Sequence, residues 1–286
     1  MPIAFVPPLP TDVDWTAHKE AVKRCRGMVC YGAVAAHFGT DSPKKLEWRI
    51  DRREPYGKGD SDRSSSNKFR RWRQGKALPH DDTILQVGQR SADGVRLGYW
   101  RDLPLWELLN LEPPPIQRIH RLLEGSSLAV RRILFTDDEP GKSGRFHHSM
   151  LERQEILAIR NLGSLDAFHA LLCLARKGEA LEDDPLHYLP SACAFDLLPR
   201  VLYSHKPLRY QWEGLFNCLE RIYWKRVYIT GSSYLFPIET IRASLAALDA
   251  DPGTVLPRMS GNRYRVIGGD PYKRIEDDMG QAVSVT

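Results

Sequence analysis

A run of apolar residues at helical spacing near residue 215 constrains the fold of this chain more than any other feature. In YQWEGLFNCLERIYWKR the apolar side chains recur at steps of three and four, at Trp212, Leu215, Phe216, Leu219, Ile222 and Tyr223. This spacing places them on one face of an α-helix, and that face has to be buried against other elements. The segment therefore predicts an amphipathic helix that packs in a core.

Glycine, proline and capping residues divide most of the remaining chain into further helices. Glycine favours the end of a helix, and Asp or Ser favours its beginning. On these signals helices are predicted over WTAHKEAVKRCRGM, CYGAVAAHFG, NKFRRWRQG, HDDTILQVGQR, IQRIHRLLE, SMLERQEILAIRNLG, SLDAFHALLCLARKG and FPIETIRASLAALDADPG. Only RYRVIGG near the C-terminus suggests a strand. The predicted fold class is mainly α.

Length and composition predict two domains. With 286 residues the chain can form one large or two modest domains, each with its own core. Residues 40–66 are charged and rich in Gly, Ser and Pro, which predicts a mobile loop. The sequence TDDEPGKSGRFHH at 136–148 has the composition of a linker. We therefore predict a helical domain with a basic segment over 12–135, and a helical assembly or interaction domain over 149–286.

Several functional classes are disfavoured by composition. No stretch approaches the roughly 18 consecutive apolar residues of a membrane span. The start, MPIAFVPPLPTDVDW, has no basic leader and its apolar run is broken by prolines, so a signal peptide is not expected. The five cysteines are odd in number and scattered, which favours a reduced, cytoplasmic protein over a disulfide scaffold.

Positive charge is concentrated in one short segment. The formal net charge of the chain is +5, so the rest of the chain is close to neutral once this segment is set aside. The segment contains no acid, and its six bases are Arg63, Lys68, Arg70, Arg71, Arg73 and Lys76. Local positive charge is what a polyanion can bind, so this segment is a candidate nucleic-acid surface.

The same segment resembles part of a known DNA-binding domain. SNKFRRWRQGKALPHDDTILQVG has a Trp, a Gly three residues later and a Pro four residues after that. Residues 64–90 resemble the second half of a Cro/C1-type (XRE) helix-turn-helix domain, and residues 28–39 resemble its preceding helix more weakly. The resemblance implies that Trp72 lies in the core and that Gly75 stops the recognition helix. Unlike the family pattern, this chain has a long charged loop between the two helices.

The resemblance and the charge together give a predicted set of nucleic-acid-binding residues. Short polar side chains at a helix N-terminus reach base edges, and the backbone N–H groups there meet phosphate. Cationic side chains contact phosphates, which gives affinity rather than sequence preference. The predicted set is Ser65, Ser66, Asn67, Lys68, Arg70, Arg71, Arg73 and Lys76.

These features favour a DNA-binding protein, with DNA preferred over RNA. It would be a transcriptional regulator or a DNA-contacting subunit of a bacterial mobile-element or defence system. The C-terminal helices would mediate a homodimer or bind a protein partner. The alternative is an interaction or scaffold subunit of a multi-protein complex. In that case the basic segment is only solvated, or binds an acidic partner.

Neither a catalytic motif nor a cofactor motif is found in the sequence. EPGKSG lacks the glycine that a phosphate-binding loop needs five residues before its Gly-Lys, where Thr136 stands. His148 and Glu152 could share a helix face, but a third metal ligand at a recognised spacing is missing. Cys25 and Cys30 have no second pair at zinc-finger spacing. We predict no catalytic residue, metal or cofactor, although one sequence leaves open an enzyme whose site assembles only in the fold.

Three further expectations concern single residues outside the basic segment. His169 and His187 lie among apolar residues, which is typical of core histidines. Trp224 lies off the apolar stripe of its helix and has Lys225 and Arg226 beside it. Rings interleaved with positive charge are typical of stacking surfaces, so Trp224 is the ring expected to face a partner.

Overall fold

A computed structural model of the chain describes residues 14–51, 67–135, 151–229, 232–256 and 265–268, and in these residues the fold is mainly α. The helices are α1 (Trp15–Phe38), α2 (Pro43–Asp51), α3 (Lys68–Arg73), α4 (Asp81–Arg90), α5 (Leu97–Arg101), α6 (Pro104–Leu108), α7 (Ile116–Glu124), α8 (Leu128–Leu134), α9 (Arg153–Asn161), α10 (Leu165–Ala180), α11 (Asp184–Ser204), α12 (Lys206–Arg209), α13 (Trp212–Ile222) and α14 (Ile238–Ala250). No helix in the described residues is both long enough and apolar enough to cross a bilayer.

The elements form two compact units. The first unit comprises Asp14–Glu107 and Leu202–Cys218, and the second comprises the described parts of Leu108–Val201 and Leu219–Thr286. The divisions fall inside α6, α11 and α13 rather than in loops, so no change of composition marks them in the sequence. This division differs from the predicted domains, because residues 108–135 belong with the second unit and residues 202–218 belong with the first. The predicted linker, 136–148, lies outside the described residues and stays a prediction.

One long helix opens the first unit, where the sequence predicted two. The carboxylate of Asp14 accepts a hydrogen bond from the Ala17 N–H at 3.0 Å, and Gly39 ends the helix in the left-handed conformation. Both termini are as predicted. The helix continues through Gly27 because burial of its apolar face outweighs the roughly 1 kcal/mol that a helical glycine costs.

Packing against the core of the first unit stabilises a helix, α2, inside the predicted loop. Leu46 and Ile50, four residues apart, are fully buried in the cluster that contains Val34 and Trp72. Their burial stabilises α2, so the prediction of a mobile loop over residues 40–66 is wrong for Pro43–Asp51. Residues 52–66 lie outside the described residues.

A buried charge network lies in the second unit. The carboxylate of Glu179 accepts from Arg176 Nη1 at 2.6 Å and pairs with Arg226 Nη1 at 2.7 Å. Arg176 Nη2 also donates to the carbonyls of Asn110 and Leu111. Both guanidinium groups are almost completely buried. Two buried arginines therefore share one buried carboxylate.

Buried aromatic and imidazole side chains surround this network. Trp224 is only 1% exposed; its ring packs edge-on against Phe195 at 5.1 Å, and its Nε1 donates to the Ser191 carbonyl. The expectation that Trp224 faces a partner is therefore wrong. α13 ends at Ile222, and a 3₁₀ turn, Trp224–Arg226, takes the ring out of the helical register on which that expectation rested. His187 is buried, as predicted.

A small antiparallel sheet completes the second unit, with strand order β1 (Tyr228–Ile229), β2 (Ser232–Leu235) and β3 (Arg265–Gly268). The register pairs Tyr228 with Ser233, and Ser233 with Ile267. The strand predicted in RYRVIGG is confirmed as β3. β1 and β2 were not predicted, because two and four residues are too few for an alternating pattern to be recognised.

Replacing Glu179 by Gln is expected to lower the free energy of unfolding by about 3 kcal/mol, because it removes the charge of the carboxylate that two buried guanidinium groups share. The matched control is Glu239→Gln, whose carboxylate lies 3.9 Å from Arg242 with both side chains exposed. The control is expected to change stability by less than about 1 kcal/mol. Urea unfolding of both variants measures the difference, and equal losses would contradict the buried network.

The stability of the chain is expected to fall in mild acid because of His187. Burial, and next the nearby Arg226 guanidinium, lower the pKa of His187 to about 3, whereas an unfolded His titrates near pH 6.5. Between these values the unfolded chain binds a proton that the folded chain does not, so the free energy of unfolding decreases as pH falls from about 6.5 towards 3. The His187→Gln variant should show a shallower decrease over that range in urea unfolding. Identical slopes for the two proteins would refute this origin.

Candidate nucleic-acid interface

A groove rich in cationic side chains lies within the first unit. Its walls are residues 17–24 of α1, residues 42–47 around the start of α2, and residues 67–76, which comprise α3 and the turn after it. It encloses about 1440 Å³. We call it the basic groove and define it by its six cationic lining residues, Lys23, Arg24, Lys44, Arg70, Arg73 and Lys76.

Two buried aromatic rings orient α3 within this groove. Phe69 and Trp72 are 0% and 2% exposed, and their ring centroids lie 4.9 Å apart in an edge-on arrangement. Residues three apart lie on the same face of a helix, so their burial turns the other faces of α3 towards solvent. Arg70, Arg71 and Arg73 are exposed as a result. The placement of Trp72 in the core is as predicted.

Close backbone contact fixes the turn after α3 against α1. Gly75 has a φ of +66°, and a Cβ atom there would lie 2.7 Å from the Arg24 Cα. A Cβ atom on Gly27 would lie 2.8 Å from the Ala77 carbonyl oxygen. Glycine at both positions lets the turn approach the middle of α1. α3 ends at Arg73, two residues before Gly75. This agrees with the prediction that Gly75 stops the helix.

Positive charge in the groove exceeds negative charge. Among the described residues the lining contains six bases but two acids, Glu20 and Glu47, and Glu20 pairs with Lys23 at 3.6 Å on the exposed surface. Within the part of the chain that the structure describes, no ion pair links Arg24, Arg70 or Lys76 to a carboxylate. These cations can therefore be neutralised by a bound anion.

Two of the predicted binding residues pair with carboxylates of the protein. Lys68 Nζ pairs with the Asp51 carboxylate at 2.6 Å, donates to Gln86 Oε1 at 3.1 Å and lies over the Phe69 ring. Arg73 Nη2 pairs with Asp41 at 2.9 Å, but its side chain is 46% exposed and still lines the groove. Lys68 thus joins α2 to α3 and α4 rather than facing outward.

The N-terminal end of α3 is described only in part. Asn67 is exposed and has a left-handed backbone with φ +50°. Ser65 and Ser66, which the resemblance placed at the DNA-facing end, lie outside the described residues. Residues 52–67 separate α2 from α3, whereas a helix-turn-helix joins its two helices by a turn of three or four residues. The residues before α2 that the resemblance assigned to the preceding helix are the end of α1, and Val34 among them packs in the core with Trp72.

Three groove cations were not predicted from the sequence: Lys23, Arg24 and Lys44. A signal does exist on α1, where the lining residues 17, 20, 21 and 24 follow the i, i+3, i+4, i+7 pattern of one helix face. That pattern marks the polar face, but it does not show which other segment lies against it. Only the tertiary fold brings this face next to α3.

Two tyrosines support the wall of the groove near Arg73. The Tyr31 hydroxyl donates to the Asp41 carbonyl at 2.8 Å, and the Tyr210 hydroxyl donates to the Asp41 carboxylate at 2.8 Å. Burial raises the pKa of both phenols. Both hydroxyl groups therefore remain donors at neutral pH.

A scan against protein-family models and searches of curated proteins and solved structures found no match to this chain. Among the described residues no group of three or more His, Cys, Asp or Glu side chains is placed to hold a metal ion. The EPGKSG segment and His148 lie outside the described residues. The geometry and charge of the groove are therefore the basis for inferring a function.

The Gly27→Ala variant is expected to lose about 1–3 kcal/mol of unfolding free energy, because its methyl group would push the turn at Ala77 away from α1. Gly98→Ala on α5 is the matched control, since the nearest atom to its Cβ would be Ile84 Cγ2 at an ordinary 3.7 Å. The control is expected to be neutral or stabilising, because alanine favours a helix more than glycine does. Urea unfolding compares the two variants. A stable Gly27→Ala protein would show that the turn does not rest on α1.

Proposed function

We propose that this protein binds the phosphate backbone of a nucleic acid in the basic groove. The proposal is based on the exposed cations that line this groove. They come from three separate elements, α1, α2 and α3. Arg24, Arg70 and Lys76 have no carboxylate partner within the described residues. Polyanions bind such sites because each neutralised phosphate releases condensed counterions.

Charge pairing elsewhere in the first unit supports this proposal. Arg101 donates to the carboxylates of Asp81 and Asp102, and Arg26 also donates to Asp102. These arginines join α1, α4 and α5, and their charges are balanced inside the protein. Within the described residues, the first unit therefore supplies carboxylate partners to arginines that stabilise the fold, and leaves Arg24 and Arg70 of the groove available for a ligand.

The chemistry of the groove residues favours contacts to phosphate over contacts to bases. A guanidinium group presents five N–H donors in a planar fork that matches phosphate oxygens. Arg24 and Arg70 supply this group from two walls, and Lys76 adds a point charge. Contacts of this kind set affinity and the register of the nucleic acid, and they carry no sequence information directly. Direct sequence readout would need Asn67 or residues outside the described ranges.

The preferred nucleic acid, the biological role and the cellular setting are proposed from the sequence. DNA is the preferred ligand because of the resemblance of residues 64–90 to a helix-turn-helix domain. The protein would act as a transcriptional regulator or as a DNA-contacting subunit of a larger bacterial assembly. All five cysteines are buried and none of them forms a disulfide, which supports a reduced, cytoplasmic setting. An acidic protein segment is the rival occupant of the groove, because it offers the same negative charge.

The Arg24→Glu and Arg70→Glu variants are each expected to weaken binding of a labelled DNA duplex by about tenfold near 0.1 M salt, since each variant leaves at least one phosphate without its cation. The slope of log K against log salt should fall by about 0.9 for each phosphate that the variant no longer neutralises. Fluorescence anisotropy at several salt concentrations measures both quantities, with a matching RNA duplex beside the DNA.

The matched control for this experiment is Arg96→Glu. Arg96 is exposed in the same unit and its replacement changes net charge equally, but it does not line the groove. We expect its binding to stay within about twofold of wild type, because a charge outside the groove contacts no phosphate bound there and acts only through a field that salt screens. Equal losses in all three variants would mean that only net charge matters. Failure of wild type to bind either duplex would remove the proposed function.

A further inference from the structure

Asp41 occupies the centre of a hydrogen-bonded cluster beside the basic groove. Its carboxylate accepts from Tyr210 Oη at 2.8 Å through Oδ1 and from Arg73 Nη2 at 2.9 Å through Oδ2. Its backbone carbonyl accepts from Tyr31 Oη at 2.8 Å. The loop between α1 and α2 is thus fixed at three atoms of one residue.

The two tyrosines are themselves held by tight packing. Tyr31 is fully buried on α1, and its ring centroid lies 5.6 Å from that of Tyr210. A Cβ atom on Gly32 would lie 2.8 Å from the Tyr210 Cβ, so the absence of a side chain there lets Tyr210 approach α1. The carboxylate of Asp41 is therefore oriented by groups that have little freedom to move.

Arg73 extends from this cluster to the groove. Arg73 lines the groove whereas Asp41 does not, and its guanidinium donates to Asp41 through one of its two terminal nitrogens. Since a guanidinium has five N–H donors, most of them remain for a second acceptor. An arginine side chain loses rotamer entropy when it is immobilised. Because Asp41 holds the side chain in the free protein, part of this entropy is lost before the ligand binds.

We propose that Asp41 is a positioning residue for nucleic-acid binding, which holds Arg73 in the orientation that receives a phosphate. This inference rests on the proposed function of the basic groove. It assigns a favourable role to a carboxylate next to a polyanion site. Simple electrostatics assigns the opposite role, because a negative charge near a phosphate repels it.

The two roles predict opposite signs for the Asp41→Asn variant. Asparagine keeps the size of the side chain and can still accept from Tyr210, but it removes the charge that holds Arg73. If Asp41 positions Arg73, the variant should bind DNA more weakly despite the gain of one net positive charge. The affinity should fall by about threefold, because part of the arginine rotamer entropy then has to be lost on binding. Repulsion alone predicts tighter binding.

A double-mutant cycle with Arg73→Gln isolates the mechanism. In the Arg73→Gln background Asp41 has no guanidinium to position, so the Asp41→Asn change should no longer weaken binding. The Tyr210→Phe variant keeps the ring against Gly32 and removes one hydrogen bond to Asp41, so a smaller loss of the same sign is expected. Anisotropy titrations of a labelled DNA duplex measure all five proteins, and thermal unfolding checks that each is folded.

The outcomes separate this inference from the proposed function. Weaker binding by Asp41→Asn that disappears in the Arg73→Gln background supports positioning. Unchanged or tighter binding by Asp41→Asn, in a wild-type protein that binds DNA, overturns positioning and leaves the proposed function in place. If Asp41→Asn does not fold, Tyr210→Phe decides by the same signs. A wild-type protein that binds no duplex overturns both.

Discussion

The burial of Phe69 and Trp72 is the interaction on which the rest of the proposed interface depends. α3 has only six residues, and an isolated helix of that length is not stable in water. It persists because both rings occupy the core formed by α1, α2 and α4, together with Val34, Ile50 and Val87. The same burial decides which side chains of α3 face outward. The exposure of Arg70 and the contact of the following turn with α1 are thus consequences of core packing.

Much of the fold was predictable from local chemistry. Asp14 and Gly39 mark the ends of α1 because capping and left-handed backbone are properties of single residues. The predicted helices that correspond to α4, α7, α9, α10, α13 and α14 are confirmed, whereas α5, α8, α11 and α12 were not predicted. α2 was not, since charged residues in PKKLEWRID stand on either side of the buried Leu46 and Ile50. The boundaries of the two units were not predictable either, because they fall inside helices.

The candidate site was predictable only as a segment and not as a surface. Its charge could be read from residues 63–76, but the sequence could not show that Lys68 is held by Asp51 and Gln86. Nor could it show that Arg24 and Lys44 join Arg70 in one groove, because these residues are far apart along the chain. Partners in space depend on tertiary packing, which a local charge pattern does not encode. The Asp41 cluster, with contacts from Tyr31 and Tyr210, is of the same kind.

We propose that three separate segments form one polyanion-binding surface. Lysine acetylation footprinting, with and without a DNA duplex, can test whether the three segments bind together. Lys23, Lys44 and Lys76 come from the three walls of the groove, whereas Lys19 on α1 and Lys206 on α12 are exposed and do not line it. If the groove is the binding surface, DNA should protect Lys23, Lys44 and Lys76 together and leave Lys19 and Lys206 reactive. Equal protection of all five lysines, or protection of Lys76 without the other two groove lysines, would contradict it.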